Sequence, residues 1–185
     1  MKRILAGLLL AALYGCAGAP AVVGNKAIPQ ACIGEVDLPP ELAAQFDPVQ
    51  DAQLLNEAIG EPEKGKLCQG RVYKSKANTQ VTIFRAWNST NPNSRFGQWW
   101  AFDKPSGRIS TYRSDYEICY QWSPLDKMVS CTLKPETKIV VGNGQSAWCS
   151  EYLTYPVSEA QQIYMSDADN TVTDCVDYDG VMSWQ

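Results

Sequence analysis

Histidine is absent from the 185 residues. That removes the Ser-His-Asp triad, the Cys-His nucleophile pair and every His-ligated metal centre. Cationic side chains are in the minority: 16 Lys plus Arg stand against 20 Asp plus Glu, for a net charge of −4. Phosphate backbones are held by clustered Lys and Arg, so nucleic acid is not an expected partner. No Cys-x-x-Cys pair occurs, which leaves zinc-knuckle and thiol-redox roles without support. Internal repeats and low-complexity tracts are missing as well. What is abundant is apolar: hydrophobic residues make up 45%, with six Trp, nine Tyr and four Phe, enough to exclude a disordered polymer.

The N-terminus has the order of an export signal. Met1-Lys2-Arg3 is a basic head, Ile4 to Tyr14 an apolar run, and Gly15 to Ala19 a small-residue stretch around Cys16. The apolar run is too short for the ~20 residues of a spanning helix. Leu13-Tyr14-Gly15-Cys16 resembles a bacterial lipoprotein processing box, which implies lipidation of Cys16 and membrane attachment through that lipid alone. Tyr14 departs from the small residue usual there, and ordinary cleavage near Ala17 or Ala19 is the competing reading. Residues 1–16 are therefore read as the signal, 17–40 as a lead or linker pinned at Cys32, and 41–185 as one domain. Without Lys2 and Arg3 the net charge of −4 becomes −6.

Both processing routes take Cys16 out of disulfide pairing, by lipidation or by cleavage, and leave Cys32, Cys68, Cys119, Cys131, Cys149 and Cys175. An even set in an exported chain predicts three disulfides, and six Cys allow 15 pairings. A hairpin centred on Leu125 sets Cys119 opposite Cys131, at a spacing that a cross-strand disulfide accepts. That is the one pairing predicted.

Helical signals come first. Asp47-Pro48-Val49-Gln50 reads as a helix start, with Asp47 capping, Pro48 in the first turn and Gln50 reaching back. Val49, Ala52, Leu55 and Ile59 form its apolar stripe, and Gly60 and Pro62 end it. A shorter helical turn is expected over Pro40 to Phe46. Strand signals follow at 71–73, 81–87, 97–102, 128–133, 137–141 and 161–165. Tyr116, Ile118, Tyr120 and Trp122 alternate as in a strand, while Tyr112, Tyr116 and Cys119 equally fit a helical face. Gly142-Asn143-Gly144 reads as a tight turn or part of a ligand loop. The expected fold is α+β: short N-terminal helices, then two small antiparallel or mixed sheets, disulfide-bonded.

Several groups could carry chemistry. Asp167, Asp169, Asn170, Asp174, Asp177 and Asp179 offer oxygen ligands, yet they lack the spacing of a calcium loop and read as a solvated acidic tail. Asn88-Ser89-Thr90 matches a glycosylation acceptor, which matters only in a eukaryotic secretory path. Trp99-Trp100 could stack on a flat ligand or pack in the core. Without His, glycosidic cleavage remains accessible, because its oxocarbenium-like transition state is stabilised by a placed carboxylate or polar acceptor.

The order Ile83-Phe84-Arg85-Ala86, Gly97-Gln98-Trp99-Trp100, Tyr112-Arg113, Thr137 to Gly142 and Ser158 to Tyr164 resembles the ADP-ribosyltransferase and NAD-glycohydrolase toxin fold over about residues 71–166. The resemblance implies NAD as substrate, with no separate cofactor. It makes Arg85 the dinucleotide-holding residue and Trp100 the aromatic near the nicotinamide. Ser110-Thr111 is the nearest match to the Ser-Thr-Ser element of many transferases. Gln162 falls at the catalytic position, with Gln161 and Glu159 just before it. The family's Glu-x-Glu or Gln-x-Glu pattern is replaced by Gln161-Gln162, which implies hydrolysis in preference to transfer. The alternative is a non-enzymatic envelope or secreted module that binds protein or carbohydrate, with Trp99 or Trp148 facing solvent.

Overall fold

Most of the chain's apolar side chains fall on short β-branched and aromatic runs, and these pair as antiparallel strands. The computed structural model describes residues 31–179 and Met182. The export signal, Cys16 and the first part of the lead segment lie outside the described residues. The architecture is mixed α/β, dominated by sheet, with four short α-helices and three disulfides among the described residues.

In chain order the elements are α1 (Pro40–Ala43), β1 (Phe46–Pro48), α2 (Ala52–Ala58), β2 (Leu67–Ser75) and β3 (Thr82–Trp87). Then come β4 (Trp99–Trp100), α3 (Ile109–Asp115), β5 (Lys127–Leu133), β6 (Lys138–Gly144), β7 (Ala147–Ser150) and β8 (Leu153–Tyr155). The chain closes with β9 (Gln161–Tyr164), α4 (Ala168–Thr171) and β10 (Val172–Asp179). One sheet has the order β1-β2-β6-β9-β4, a second β10-β5-β3, and β7-β8 form a separate hairpin. The main core draws Tyr73, Ile139, Val141 and Ile163 from the first sheet and Ile83, Val129 and Leu133 from the second. The two sheets therefore bury one shared apolar layer. A smaller cluster seats Leu54 and Ala58 of α2 on Val72, Val140 and Tyr164.

Local signals were overruled at four places. The helix expected from Asp47 begins later, because Asp51 caps α2 by accepting the Leu54 N–H at 3.0 Å. Phe46 to Pro48 instead pair with Tyr73 to Ser75 as an edge strand, a position that tolerates Pro. The alternating run from Tyr116 to Trp122 is not a strand. Helix α3 ends at Asp115, and the segment continues as an irregular loop with Tyr120 and Trp122 exposed. Gly142-Asn143-Gly144 is no turn but the end of β6, fully buried. Its glycines are needed for close approach: a Cβ on Gly142 would lie 1.9 Å from the Gln69 carbonyl oxygen of β2. Lastly, the acidic tail is largely strand β10, where Asp177 takes a bidentate pair from Arg95 at 2.8 and 2.9 Å, and Asp179 pairs with Lys127.

The predicted Cys119–Cys131 bridge is replaced by Cys32–Cys68, Cys119–Cys149 and Cys131–Cys175. The reason is topological. Strand β5, which carries Cys131, has β3 on one side and β10 on the other, so Cys175 and not Cys119 reaches it. Cys119, on the loop, is left to the β7–β8 hairpin.

The lead segment after Cys32 is strapped to the first sheet. Gln69 Nε2 donates to the Gly34 carbonyl at 2.8 Å, and Gln161 Nε2 to the carbonyls of Glu35 and Asp37, both at 2.8 Å. Arg71 pairs with Asp37.

Candidate functional site

A cleft of about 190 Å³ opens where β3, β4 and β9 meet α3 and the loop that follows it. A bridge between Phe84 and Ala101 brings β3 beside β4, and β4 pairs with β9 through Trp99–Tyr164 and Trp100–Ile163. Residues far apart in sequence, Arg85, Trp100 and Gln162, thereby line one cleft. Aromatic rings make up much of its wall: Trp99, Trp100, Tyr112, Tyr116 and Trp122.

Each sequence-predicted residue has a definite place. Trp100 is buried, and its Nε1 donates to the Gly97 carbonyl at 2.8 Å. Arg85 donates from Nε to the Ser94 carbonyl at 2.7 Å and from Nη1 to the Trp99 carbonyl at 2.6 Å. A Cβ on Gly97 would lie 2.3 Å from Arg85 Nη2, so Gly97 makes room for the guanidinium. Burial pushes the Arg85 pKa down to about 10, and it stays charged at neutral pH. Arg85 thus braces the segment that leads into β4. Gln162 is 6% exposed and faces the carboxyl of Glu117. Ser110 is exposed on α3 and does not line the cleft. Glu159 is exposed too; its backbone carbonyl accepts from Asn143 Nδ2 at 2.8 Å, on the strapped side of the sheet.

The residue that sequence reasoning missed is Glu117. It is only 2% exposed and holds a left-handed backbone, φ 47°, a conformation uncommon for a residue with a Cβ. Its Oε2 accepts from Gln162 Nε2 at 2.8 Å, while Oε1 is buried without a hydrogen bond. No Lys or Arg among the described residues pairs with it. Desolvation is the main reason its pKa is pushed up to about 8; Asp115 adds to the rise, and Ser158 and Gln162 oppose it. Gly144 leaves the space the carboxyl fills: a Cβ there would lie 1.6 Å from Glu117 Oε2. One signal in the sequence could have flagged the position. Glu117 is an acid set between Tyr116 and Ile118, two apolar neighbours that pack against the cluster of Ala86, Ile109, Tyr112 and Leu125.

The loop carrying Glu117 is fixed at several points. Arg113 donates to the carbonyls of Ile118 at 3.2 Å and Ser123 at 2.6 Å. Ser158 Oγ donates to the Asp115 carbonyl at 2.6 Å, and Gln121 Nε2 to the Cys149 carbonyl at 2.9 Å. The Cys119–Cys149 disulfide adds a covalent tie. Leu125 at φ 58° and Lys66 at φ 67°, also in the cleft wall, hold left-handed backbone too, as do Glu63, Glu136 and Asp174 elsewhere. The buried acid without a cation partner among the described residues is what makes the cleft a candidate site. The ties on its loop hold the cleft in shape before any ligand arrives.

Among the described residues, no group of three or more Cys, Asp or Glu gathers as for a metal ion, and no helix is long and apolar enough to cross a membrane. Asn88 turns its Oδ1 back to the Thr90 N–H at 2.9 Å. No family model, no curated protein and no solved structure matches the chain.

Proposed function

We propose that the chain is an exported ADP-ribosyltransferase-like protein that cleaves the nicotinamide–ribose bond of NAD, with hydrolysis favoured over transfer. One observation carries the reading: Arg85, Trp100 and Gln162 line a single aromatic-walled cleft. In the reaction the bond from ribose C1′ to the nicotinamide nitrogen breaks, and its electron pair leaves with nicotinamide. Water adds to the ribosyl cation and gives up a proton. A neutral amide such as Gln162 cannot offset that positive charge, but a carboxylate can. Glu117, hydrogen-bonded to Gln162, supplies the carboxyl that Gln161-Gln162 lack.

At about 190 Å³ the cleft is smaller than the ~300–1,000 Å³ of most ligand pockets. It takes one ring of the dinucleotide, and the remainder lies across the mouth near Lys66 and Trp122. Arg85 contributes by holding the Trp99 wall. Glu159 stands outside the cleft wall, which favours water over a protein acceptor. Export belongs to the same proposal, with Cys16 as the lipid-bearing residue in a cell envelope; three disulfides suit an oxidising compartment.

One observation favours a second reading, a binding module without catalysis: Trp148 is 55% and Tyr152 89% exposed. Nicotinamide release from NAD separates the two. The oxidised chain is expected to release nicotinamide, with Gln162→Ala and Glu117→Gln each lowering the rate by about 100-fold or more. No release above the variants' background, from folded and fully disulfide-bonded protein, removes the NAD reading and leaves the binding module.

A further inference from the structure

Two cations, Arg85 and Lys66, and one buried acid, Glu117, line the cleft. The guanidinium is occupied by two backbone carbonyls. Lys66 Nζ, the other cation at the wall, donates to the Glu57 carbonyl at 2.9 Å. The acid is a carboxyl, 2% exposed, with no cationic partner among the described residues. A buried carboxyl in that position leaves an electrostatic vacancy: the fold holds it neutral until a positive charge arrives. Tyr116 and Trp122 line the cleft with it, and π faces attract cations whose charge is spread over a ring or shielded by alkyl groups.

We infer that this cleft is a receptor for a ring-sized organic cation, a pyridinium or quaternary ammonium group, bound by the aromatic walls and neutralised by Glu117. The inference rests on the placing of the ligand in this cleft proposed above, but not on turnover. Such a cation needs no hydrogen bond, so Glu117 can act without direct contact. Its arrival drives the Glu117 proton into solvent. Selectivity follows: a positively charged ring is preferred over the same ring uncharged.

The test uses two non-cleavable ligands that differ mainly in charge, the N1-methylnicotinamide cation and neutral nicotinamide. Binding to the full oxidised chain is read from tryptophan fluorescence, since Trp99, Trp100 and Trp122 line the site. At pH 9 the cation is expected to bind about tenfold or more tighter than the neutral ring. That preference should shrink as pH falls through about 8, where Glu117 takes up its proton. The other charged or titratable groups around Glu117 are Asp115, Arg113, Tyr116, Arg85 and Lys66. Burial lowers the Arg85 pKa only to about 10 and pushes that of Tyr116 upwards, away from that range. Glu117→Gln should abolish the preference and its pH dependence while leaving nicotinamide binding in place. Calorimetry of the unsubstituted chain at pH 7, in two buffers of different ionisation enthalpy, should show about 0.4 proton or more released per cation bound, the amount that a tenfold preference implies for a group titrating near 8. Equal or tighter binding of nicotinamide, a preference that survives Glu117→Gln, no proton release, or no binding of either ring would each overturn the inference. Failure of NAD cleavage alone would leave it standing, because neither ligand is turned over.

Discussion

Replacing Glu117 by Gln is expected to stabilise the protein at neutral pH, and by an amount that grows with pH. Glu117 has a folded-state pKa of about 8 against an ordinary value of 4.5. An acid raised in the folded state favours folding only while protonated in both states, that is, below pH 4.5. As pH climbs from there towards 8, the unfolded chain releases a proton that the folded chain still has to hold. Each unit is worth about 1.4 kcal/mol, so the penalty is about 3 kcal/mol at pH 7 and approaches about 5 kcal/mol above pH 8. Gln is nearly isosteric, carries no charge at any pH and can still pair with Gln162. The difference between the two proteins should therefore be small at pH 4 and reach about 3 kcal/mol in favour of Glu117→Gln at pH 7. In a chain of this size that is a rise in Tm of about 6–12 °C. Thermal or urea unfolding of both proteins from pH 4 to 9 measures it, and taking the difference cancels the other carboxylates. A stability difference that stays flat over this range would show that Glu117 is ionised and solvated in the folded protein, and the account of the cleft would fall with it.

Other substitutions probe neighbouring parts of the argument. Gly144→Ala places a Cβ 1.6 Å from Glu117 Oε2 and should cost about 1–3 kcal/mol by overpacking, much of it recovered in the double variant with Glu117→Ala. Gly142→Ala meets the Gln69 backbone oxygen at 1.9 Å, so no side-chain deletion should rescue it; urea titrations of the three variants compare them. Serine at Cys119 and Cys149 together opens a 30-residue loop and should cost about 4 kcal/mol in the loop-closure description, with fluorescence-detected ligand binding weakened as well. Peptide mapping of the non-reduced protein should recover Cys32 with Cys68, Cys119 with Cys149 and Cys131 with Cys175; a Cys119–Cys131 peptide would refute the strand order around β5.

What the sequence discloses, and what it hides, follows the range of the forces involved. Strands β2, β3, β5, β6 and β9 were legible because alternating or β-branched runs record burial directly. The meeting of Arg85, Trp100 and Gln162 in one cleft was implied only by the family resemblance. Features decided by distant partners were not legible. Phe46 to Pro48 pair with β2 although Asp47-Pro48 has good helix-start chemistry. Gly142-Asn143-Gly144 has the composition of a turn, yet its missing side chains serve the approach of β2 and of the Glu117 carboxyl. Cys119 lies twelve residues from Cys131, but the loop between them does not pair with β5. Glu117 stayed hidden because an isolated acid among aromatics is read as surface until burial is known.

The three bridges also decide how the molecule carries a mechanical load. Suppose it is pulled between its N-terminal lead and its C-terminus, as a tethered envelope protein is by anything that grips its far end. Tension entering at Cys32 crosses the disulfide to Cys68, so residues 33–67, with α1, β1 and α2, are bypassed. Tension reaching Cys131 crosses to Cys175 and bypasses 132–174, including β6 and β9. Cys149 lies inside that second bypass and Cys119 on the loaded stretch, so their bridge couples the cleft loop to a part of the chain that bears no load. Between the outer bridges, force runs through 68–131 alone. Gln162 stays in the shielded part, while Arg85, Trp100 and Glu117 lie on the strained one, so the cleft is built across the boundary between loaded and unloaded chain.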